Sequence, residues 1–432
     1  MAQLLRLLIP LLGLISFLAS PVQAQNKPAL PLRTSSRWIV DANGNRVKMR
    51  CANWAGHMEA NIPEGLDKQS LDHITNWIAK QGFNCIRLTY SIDHALDGRR
   101  PVRDSFVGAA AAASVPTDQM VAVYQRIQDK NPWITANTTT RDVFGAVVDT
   151  LWDRHGIMTI LDNHVSKAGW CCDLTDGNGW WDEAFGYNQW NSRFFRTRDW
   201  VAGLQAMAAW AREGPGHPGV VAMGLRNEIR EFLVQNLNNR DDWYRFMKEG
   251  GDVVHAAHPD VLILVGGVQS STDLAHLRNG RRMLDTSGAG GWRDKLVWEM
   301  HAYSFTVTFP DVFKSCDVVK TQYGGFIGFV LEQGKPYTAP LLLGEFGVGM
   351  TGGPHSGGLN EKDSRYLSCL VDYMQNNDAD WAVWAVQGSY YVRQGNVDYD
   401  EAWGLVKHDW SDWRNPQFPG LLKDMWKMTQ KP

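Results

Sequence analysis

Eight short apolar runs, separated for the most part by segments of helical periodicity, constrain this chain more than any other feature. They lie at 49–54, 84–90, 158–163, 220–225, 261–266, 296–301, 340–346 and 381–386. Helix-period stretches follow at 71–80, 141–154, 197–212, 241–257, 319–333, 362–374 and 420–428, and only 272–277 is helical after the fifth run. Strands that are apolar at nearly every position are buried on both faces, which points to a parallel sheet covered by helices. Eight such units favour an α/β fold closed as a (β/α)8 TIM barrel with long loops on its C-terminal face; an open doubly wound sheet is the competing arrangement. The longest insertions follow the second run (91–140) and the third (165–193), both on the face where barrels carry chemistry. Ahead of the first run, Trp38-Ile39-Val40 and Arg46-Val47-Lys48-Met49 flank Asn43-Gly44, the pattern of a hairpin.

Residues 1–24 precede this pattern and differ from it. Arg6, an apolar run over 7–19 and the small-residue ending Val22-Gln23-Ala24 form a secretory signal, with cleavage expected before Gln25. An uncleaved anchor is the alternative, but the run is shorter than the ~20 residues of a membrane span. The expected product is an exported, secreted or periplasmic single catalytic domain, 25–432, a monomer with no membrane attachment. Export makes pairing of Cys51, Cys85, Cys171, Cys172, Cys316 and Cys369 expected. Across a trans peptide the neighbours Cys171 and Cys172 sit ~3.8 Å apart at Cα, so bridges to other cysteines are expected for them. Cys316 with Cys369 is one candidate pair. A net charge of −3 from 43 basic and 46 acidic residues argues against nucleic acid as a partner. Neither Cys-x-x-Cys, Gly-x-Ser-x-Gly nor His-Glu-x-x-His occurs, so zinc sites and serine or zinc hydrolases have no support.

The polar residues at the ends of the apolar runs carry the chemistry. They are Arg87 in the second run, His164 after the third, Asn227-Glu228 after the fourth, His301-x-Tyr303 at the sixth, Glu345 in Gly344-Glu345-Phe346-Gly347 at the seventh, and Trp384 in the eighth. Strand ends are solvated anyway, and a lone histidine there is as often structural as functional. Two glutamates on the fourth and seventh strands of a ring, however, can converge on one central opening. Paired carboxylates at a barrel mouth suit glycosidic cleavage, one as proton donor and one as nucleophile.

With these residues in this order, the chain resembles glycoside hydrolase family 5, the cellulase family, over about Trp38 to Trp384. The resemblance implies Glu228 as acid/base and Glu345 as nucleophile of a retaining glycosidase. It also implies sugar or carboxylate contacts from Arg87, His164, Asn227, His301, Tyr303 and Trp384, and no nucleotide or organic cofactor; no metal is expected, on motif spacing alone. The substrate it implies is a β-linked oligo- or polysaccharide, β-glucan first. An exo-acting β-glycosidase or mannanase on the same core, and a sugar-binding barrel without catalysis, stay open.

The loop after the third strand is rich in tryptophan and cysteine. Trp faces match the C–H faces of β-linked pyranoses, so Trp170, Trp180 and Trp181 are expected as stacking platforms. An excess of tryptophan, 20 in all, points the same way, because a buried indole needs a partner for its N–H. Asp173, Asp176 and Asn178 in that loop miss the spacing of an EF-hand calcium site.

Overall fold

The computed structural model describes residues 27–214, 216–278, 282–306, 315–352 and 356–429; the leader expected at 1–24 lies outside the described residues. Eight parallel strands, β1 (Arg50–Trp54), β2 (Cys85–Ser91), β3 (Met158–Val165), β4 (Val220–Gly224), β5 (Leu262–Gly266), β6 (Leu296–Ala302), β7 (Leu341–Phe346) and β8 (Asp380–Val383), close in sequence order, β8 pairing with β1. Every expected apolar run is a barrel strand, and β8 ends early, at Val383. Closure rules out the open sheet.

Helices pack outside the ring, and their ends follow from local chemistry. Ser70 accepts the His73 N–H to start Leu71–Lys80, Thr139 and Asp142 form a capping box before Thr140–His155, and Asn360 caps Glu361–Asn377. The helices Thr197–Arg212 and Asp241–Ala257 match expectation to the residue. The one expected at 319–333 is instead Cys316–Phe326 followed by a tight turn, Gly328–Leu331, because Gly324-Gly325 weakens its end. The insertion after β2 folds into three helices, Ile92–Leu96, Val102–Ala113 and Thr117–Lys130.

The hairpin near the start forms in part. Trp38–Val40 pairs as a strand with Arg33–Ser35, while across the expected turn Val40 bridges Arg46, the Val47 N–H donates to the Ile39 carbonyl and the Asp41 N–H to the Asn45 carbonyl. Asp41 accepts the Asn43 and Asn45 N–H groups and closes the turn, but the Met49 N–H goes to Asp380 Oδ1, drawing the second arm into the barrel. A second hairpin, Ser389–Arg393 with Asn396–Asp400, follows β8.

All six cysteines are paired. Cys51–Cys85 joins directly opposed residues of β1 and β2, and Cys316–Cys369 joins two outer helices as expected. Cys171 and Cys172 bond to each other, against expectation, because the peptide between them is cis where a trans spacing was assumed.

The tryptophans also depart from expectation. Nine of them are among the largest fully buried side chains. Five of their N–H groups find backbone carbonyls, Trp54 on Glu64, Trp200 on Leu225, Trp243 on Gly266, Trp298 on Tyr337 and Trp381 on Met425. Two find side chains, Trp292 on Asp252 and Trp410 on Ser389, while those of Trp180 and Trp181 have no partner among the described residues. The Leu225 and Gly266 carbonyls lie just past β4 and at the end of β5, so two outer helices pin the strand ends that carry the site. Trp180 and Trp181 belong to this buried class and are not platforms. Trp181 stacks on Phe246 and meets Trp180 and Trp200 edge-on, so the loop folds inward onto the helices after β3 and β4. Trp181→Ala should therefore cost about 3–5 kcal/mol of stability, as for other large buried aromatics. Urea denaturation measures it; a loss of no more than ~0.5 kcal/mol, the range of exposed positions, would place the ring at the surface.

Candidate active site

Register places the functional groups at one end of the barrel. Asn53 and Arg87 are direct partners on β1 and β2, Asp162 and His164 lie on β3, Glu299 and His301 on β6, and Glu345 on β7 opposite His301. The pairing of β6 with β7 shifts register between Met300 and His301, which re-aims His301 toward the mouth. Asn227 and Glu228 follow β4, and Glu228 holds φ +42°, a left-handed conformation that costs a non-glycine residue of order 1–3 kcal/mol.

Arg87 is wholly buried at the centre. Its Nη1 donates to Asn53 Oδ1 (2.9 Å) and Glu345 Oε1 (2.8 Å), and its Nη2 donates to Asn227 Oδ1 (2.9 Å). Two further carboxylates pair with it, Asp162 Oδ1 at 2.9 Å and Glu299 Oε1 at 3.0 Å. Tyr303 donates its hydroxyl to the other oxygen of Glu345 at 3.1 Å, as expected. Beneath Glu345, the Asn53 amide donates to the Gly344 carbonyl at 2.9 Å. A Cβ at Gly344 would collide with Glu299 Oε1, so glycine is required there.

His301 joins the two glutamates. Its Nδ1 lies 2.9 Å from Glu228 Oε1 and 3.8 Å from Glu345 Oε2, with Glu299 Oε1 3.7 Å from Nε2 on the far side. One oxygen of each of Glu228 and Glu345 and a nitrogen of His301 all lie within 4.8 Å of one another. Burial lowers His301, but Glu345, Glu228 and Glu299 outweigh it and push the ring up to about 10. A charged imidazole between two carboxylates is an arrangement suited to sharing a proton.

Burial pushes Glu345 up to about 7, against the pull of His301 and Arg87. The expected cation and hydroxyl stand around it, but desolvation offsets them in part. Asp162 likewise rises to about 7 through burial, with Arg87 opposing. Glu299 is held below its usual range, since Arg87 and His301 overcome its burial. Burial, with Arg87 and His301 nearby, drives His164 well below its usual range and leaves it neutral. Its Nδ1 faces Asp162 Oδ2 at 2.8 Å, which puts the proton there and leaves Nε2 as an acceptor 3.4 Å from the Asn227 amide.

Trp384 lies parallel to the His164 ring at 5.5 Å and clusters with Tyr303 and Trp403. Trp170 is half-buried against Tyr390, and Arg393 covers one of its faces at 3.4 Å, so that face is closed to stacking. The sequence-level residues Arg87, His164, Asn227, Glu228, His301, Tyr303, Glu345 and Trp384 thus come together; Trp180 and Trp181 do not. Asn53, Asp162, Glu299 and the Cys171–Cys172 pair, whose sulfurs lie 3.6 and 3.5 Å from Asn227 Nδ2, are further members. Asp162 and Glu299 share a visible signal: each is a charged residue inside an apolar strand, two positions before a site histidine.

Comparison with known proteins bears on what this arrangement does. The family described as "Cellulase (glycosyl hydrolase family 5)" matches residues 40–389. A "Glycosyl hydrolase 5 family protein" of Chamaecyparis obtusa is 38% identical over 435 residues, covering 99% of this chain and 70% of that protein. An endoglucanase of Paenibacillus polymyxa is 22% identical, covering 92% of this chain and 87% of that protein. Among solved structures, an endocellulase from Pyrococcus horikoshii in complex with cellotetraose superposes with TM-score 0.67 at 17% identity, covering 93% of this chain and 100% of that one. The catalytic domain of the major endoglucanase from Xanthomonas campestris pv. campestris gives 0.65 at 20%, covering 91% and 99%. At such identities the structures share the fold.

The Arg87 cluster makes a pH-dependent prediction. Arg87→Met leaves buried carboxylates unpaired and should cost about 3–5 kcal/mol at pH 7. Those carboxyls then have folded pKa values above their unfolded ones, so the folded state binds more protons and the variant's stability rises as pH falls from 7 toward about 4, the unfolded carboxyl range. Denaturant midpoints across that window test it; a deficit independent of pH would mean the cluster acts by packing alone.

Proposed function

The chain belongs to glycosyl hydrolase family 5 and is a glycosidase of the cellulase type, hydrolysing O-glycosyl bonds; from that premise we propose that it is a retaining β-glucanase, endoglucanase-like, exported through residues 1–24 and working as a monomer with one catalytic domain. The observation that carries the mechanism is the spacing of the two glutamates. One oxygen of each glutamate lies within 4.8 Å of one of the other's, a closeness that supports double displacement, which uses carboxyls ~5–5.5 Å apart, over inversion, which uses ~6.5–9.5 Å.

In this mechanism the Glu345 carboxylate attacks the anomeric carbon while Glu228 gives its proton to the leaving oxygen. The bond to the leaving sugar breaks as the bond to Glu345 forms. Water, deprotonated by Glu228, then releases the glycosyl group from Glu345. Arg87 and Tyr303 hold Glu345 on its two oxygens, which fixes the attacking lone pair. His301, pushed up to about 10, stays charged between the glutamates and offsets their mutual repulsion as protons move. Asn227 has its carbonyl oxygen held by Arg87, and its amide N–H groups make only long contacts, 3.4–3.6 Å, to His164 Nε2 and the Cys171–Cys172 sulfurs, which a sugar hydroxyl would replace. Trp384 and His164 supply the floor of that subsite.

Support for β-glucan comes from the relatives: endoglucanases match across most of the chain, and an endocellulase of the same fold binds cellotetraose. Support for export comes from the fully paired cysteines, which an oxidising compartment maintains.

Glu345→Ala should abolish turnover on polysaccharide and aryl glycoside alike. Glu228→Ala should lose roughly 10²–10⁴-fold on polysaccharide, where the leaving group needs a proton. On an activated aryl glycoside it should retain a first-step burst and then stall until azide replaces water. Steady-state and burst kinetics check this pair; equal losses on both substrates for Glu228→Ala would remove it from the proton-donor role.

A further inference from the structure

Large apolar side chains exposed to solvent concentrate in two loops beside the catalytic mouth. Phe185, Tyr187 and Trp190 in the loop after β3, and Leu233, Val234 and Leu237 in the loop after β4, are each 48–67% exposed. The loops form one surface. Gly186 abuts Val234 and Gln235, and the Asn191 amide donates to Gln235 Oε1 at 2.8 Å. Asp242 fastens both, accepting the Phe185 N–H and the Asn238 amide on a single oxygen.

The same surface is continuous with the site. Arg230 Nη1 donates to the Glu228 carbonyl at 2.6 Å, and the Arg230 carbonyl accepts the Asn191 amide at 2.7 Å. Its composition narrows what it can hold. Neither 184–191 nor 232–239 contains Lys, Arg, Asp or Glu, and the polar groups exposed among the apolar ones include the carboxamides Gln189, Asn236 and Asn239. A nucleic acid or an anionic lipid surface would need cations here. Flat aromatic faces interspersed with neutral amides instead match a polymer that is uncharged, with alternating C–H faces and hydroxyl edges. An exposed apolar area of this kind marks an interaction surface.

We propose that this two-loop surface is an accessory binding face that holds the enzyme against insoluble β-glucan, outside the catalytic cleft. The proposal rests on the β-glucanase reading. Contact with an ordered glycan face supplies neither acid nor nucleophile; it raises the local concentration of chain ends and segments at the neighbouring mouth.

The test places Tyr187→Ala/Trp190→Ala, and separately Leu233→Asn/Leu237→Asn, in full-length protein. Turnover of a small soluble aryl glycoside should stay within about twofold of wild type, since no exposed ring touches the reacting atoms. In a Glu345→Ala background, which removes turnover, partition onto microcrystalline cellulose should fall about tenfold for the aromatic pair, two stacking contacts being worth about that. Unchanged partition in both variants would overturn the proposal. So would a wild-type dimer in sedimentation velocity that either variant dissociates, which assigns the surface to a second copy. Binding to neutral phosphatidylcholine vesicles lost in the variants would overturn it in favour of a lipid face. Hydrolysis of soluble β-glucan by the wild type reports separately on the parent reading, so failure of one is distinguishable from failure of the other.

Discussion

One guanidinium, that of Arg87, holds the catalytic end of this barrel together. It is wholly buried, and five oxygens from five residues on or beside four strands and the β4 loop converge on it. A cation in that position makes it tolerable to bury Asp162, Glu299 and Glu345 within one another's reach. Lysine, a point charge with three donors, could not serve the same set of directions. Glu345 is thereby fixed by the same group that fixes Asn227, so nucleophile and sugar contact share one anchor. Glu299 then faces His301 from below, and His301 faces Glu228. The charge balance of both catalytic glutamates traces back to one side chain on β2.

Much of this is legible in the amino-acid sequence. The eight strands were visible as apolar runs because each is buried on both faces, and a parallel strand needs nothing subtler. Glu228 and Glu345 are legible because strand ends in a closed barrel converge wherever they lie in sequence, while the roles of Arg87, His301 and Tyr303 are legible only through the family resemblance. What could not be read was whatever depends on how a long loop folds back. Trp180 and Trp181 have the composition of a sugar platform, but their faces are spent on Phe246, Trp200 and each other. The pairing of Cys171 with Cys172 turned on a peptide isomer that side-chain identity does not announce. Asp162 and Glu299 look like strand residues out of place until Arg87 is seen between them.

Tryptophan usage divides along the same line. The buried indoles of Trp200 and Trp243 donate from two outer helices to the carbonyls of Leu225 and Gly266, tying the outer layer to the ends of two strands. Phe185, Tyr187 and Trp190, by contrast, are exposed where the β3 and β4 loops meet, in segments free of charge. The count of tryptophans alone mixes these two populations, and only burial separates them. A fold that stabilises its catalytic mouth with buried rings is free to present others to a polymer.

The account turns on Glu228 and Glu345 being close enough for direct attack by Glu345. Proton NMR of the first product formed from a β-glucan oligosaccharide tests this most directly, since the anomeric proton reports configuration before mutarotation. The account predicts that the β-anomer appears first and the α-anomer grows in afterwards. An α-anomer formed first would mean that water, not Glu345, attacks the anomeric carbon, and would contradict the mechanism built on the Arg87-anchored pair.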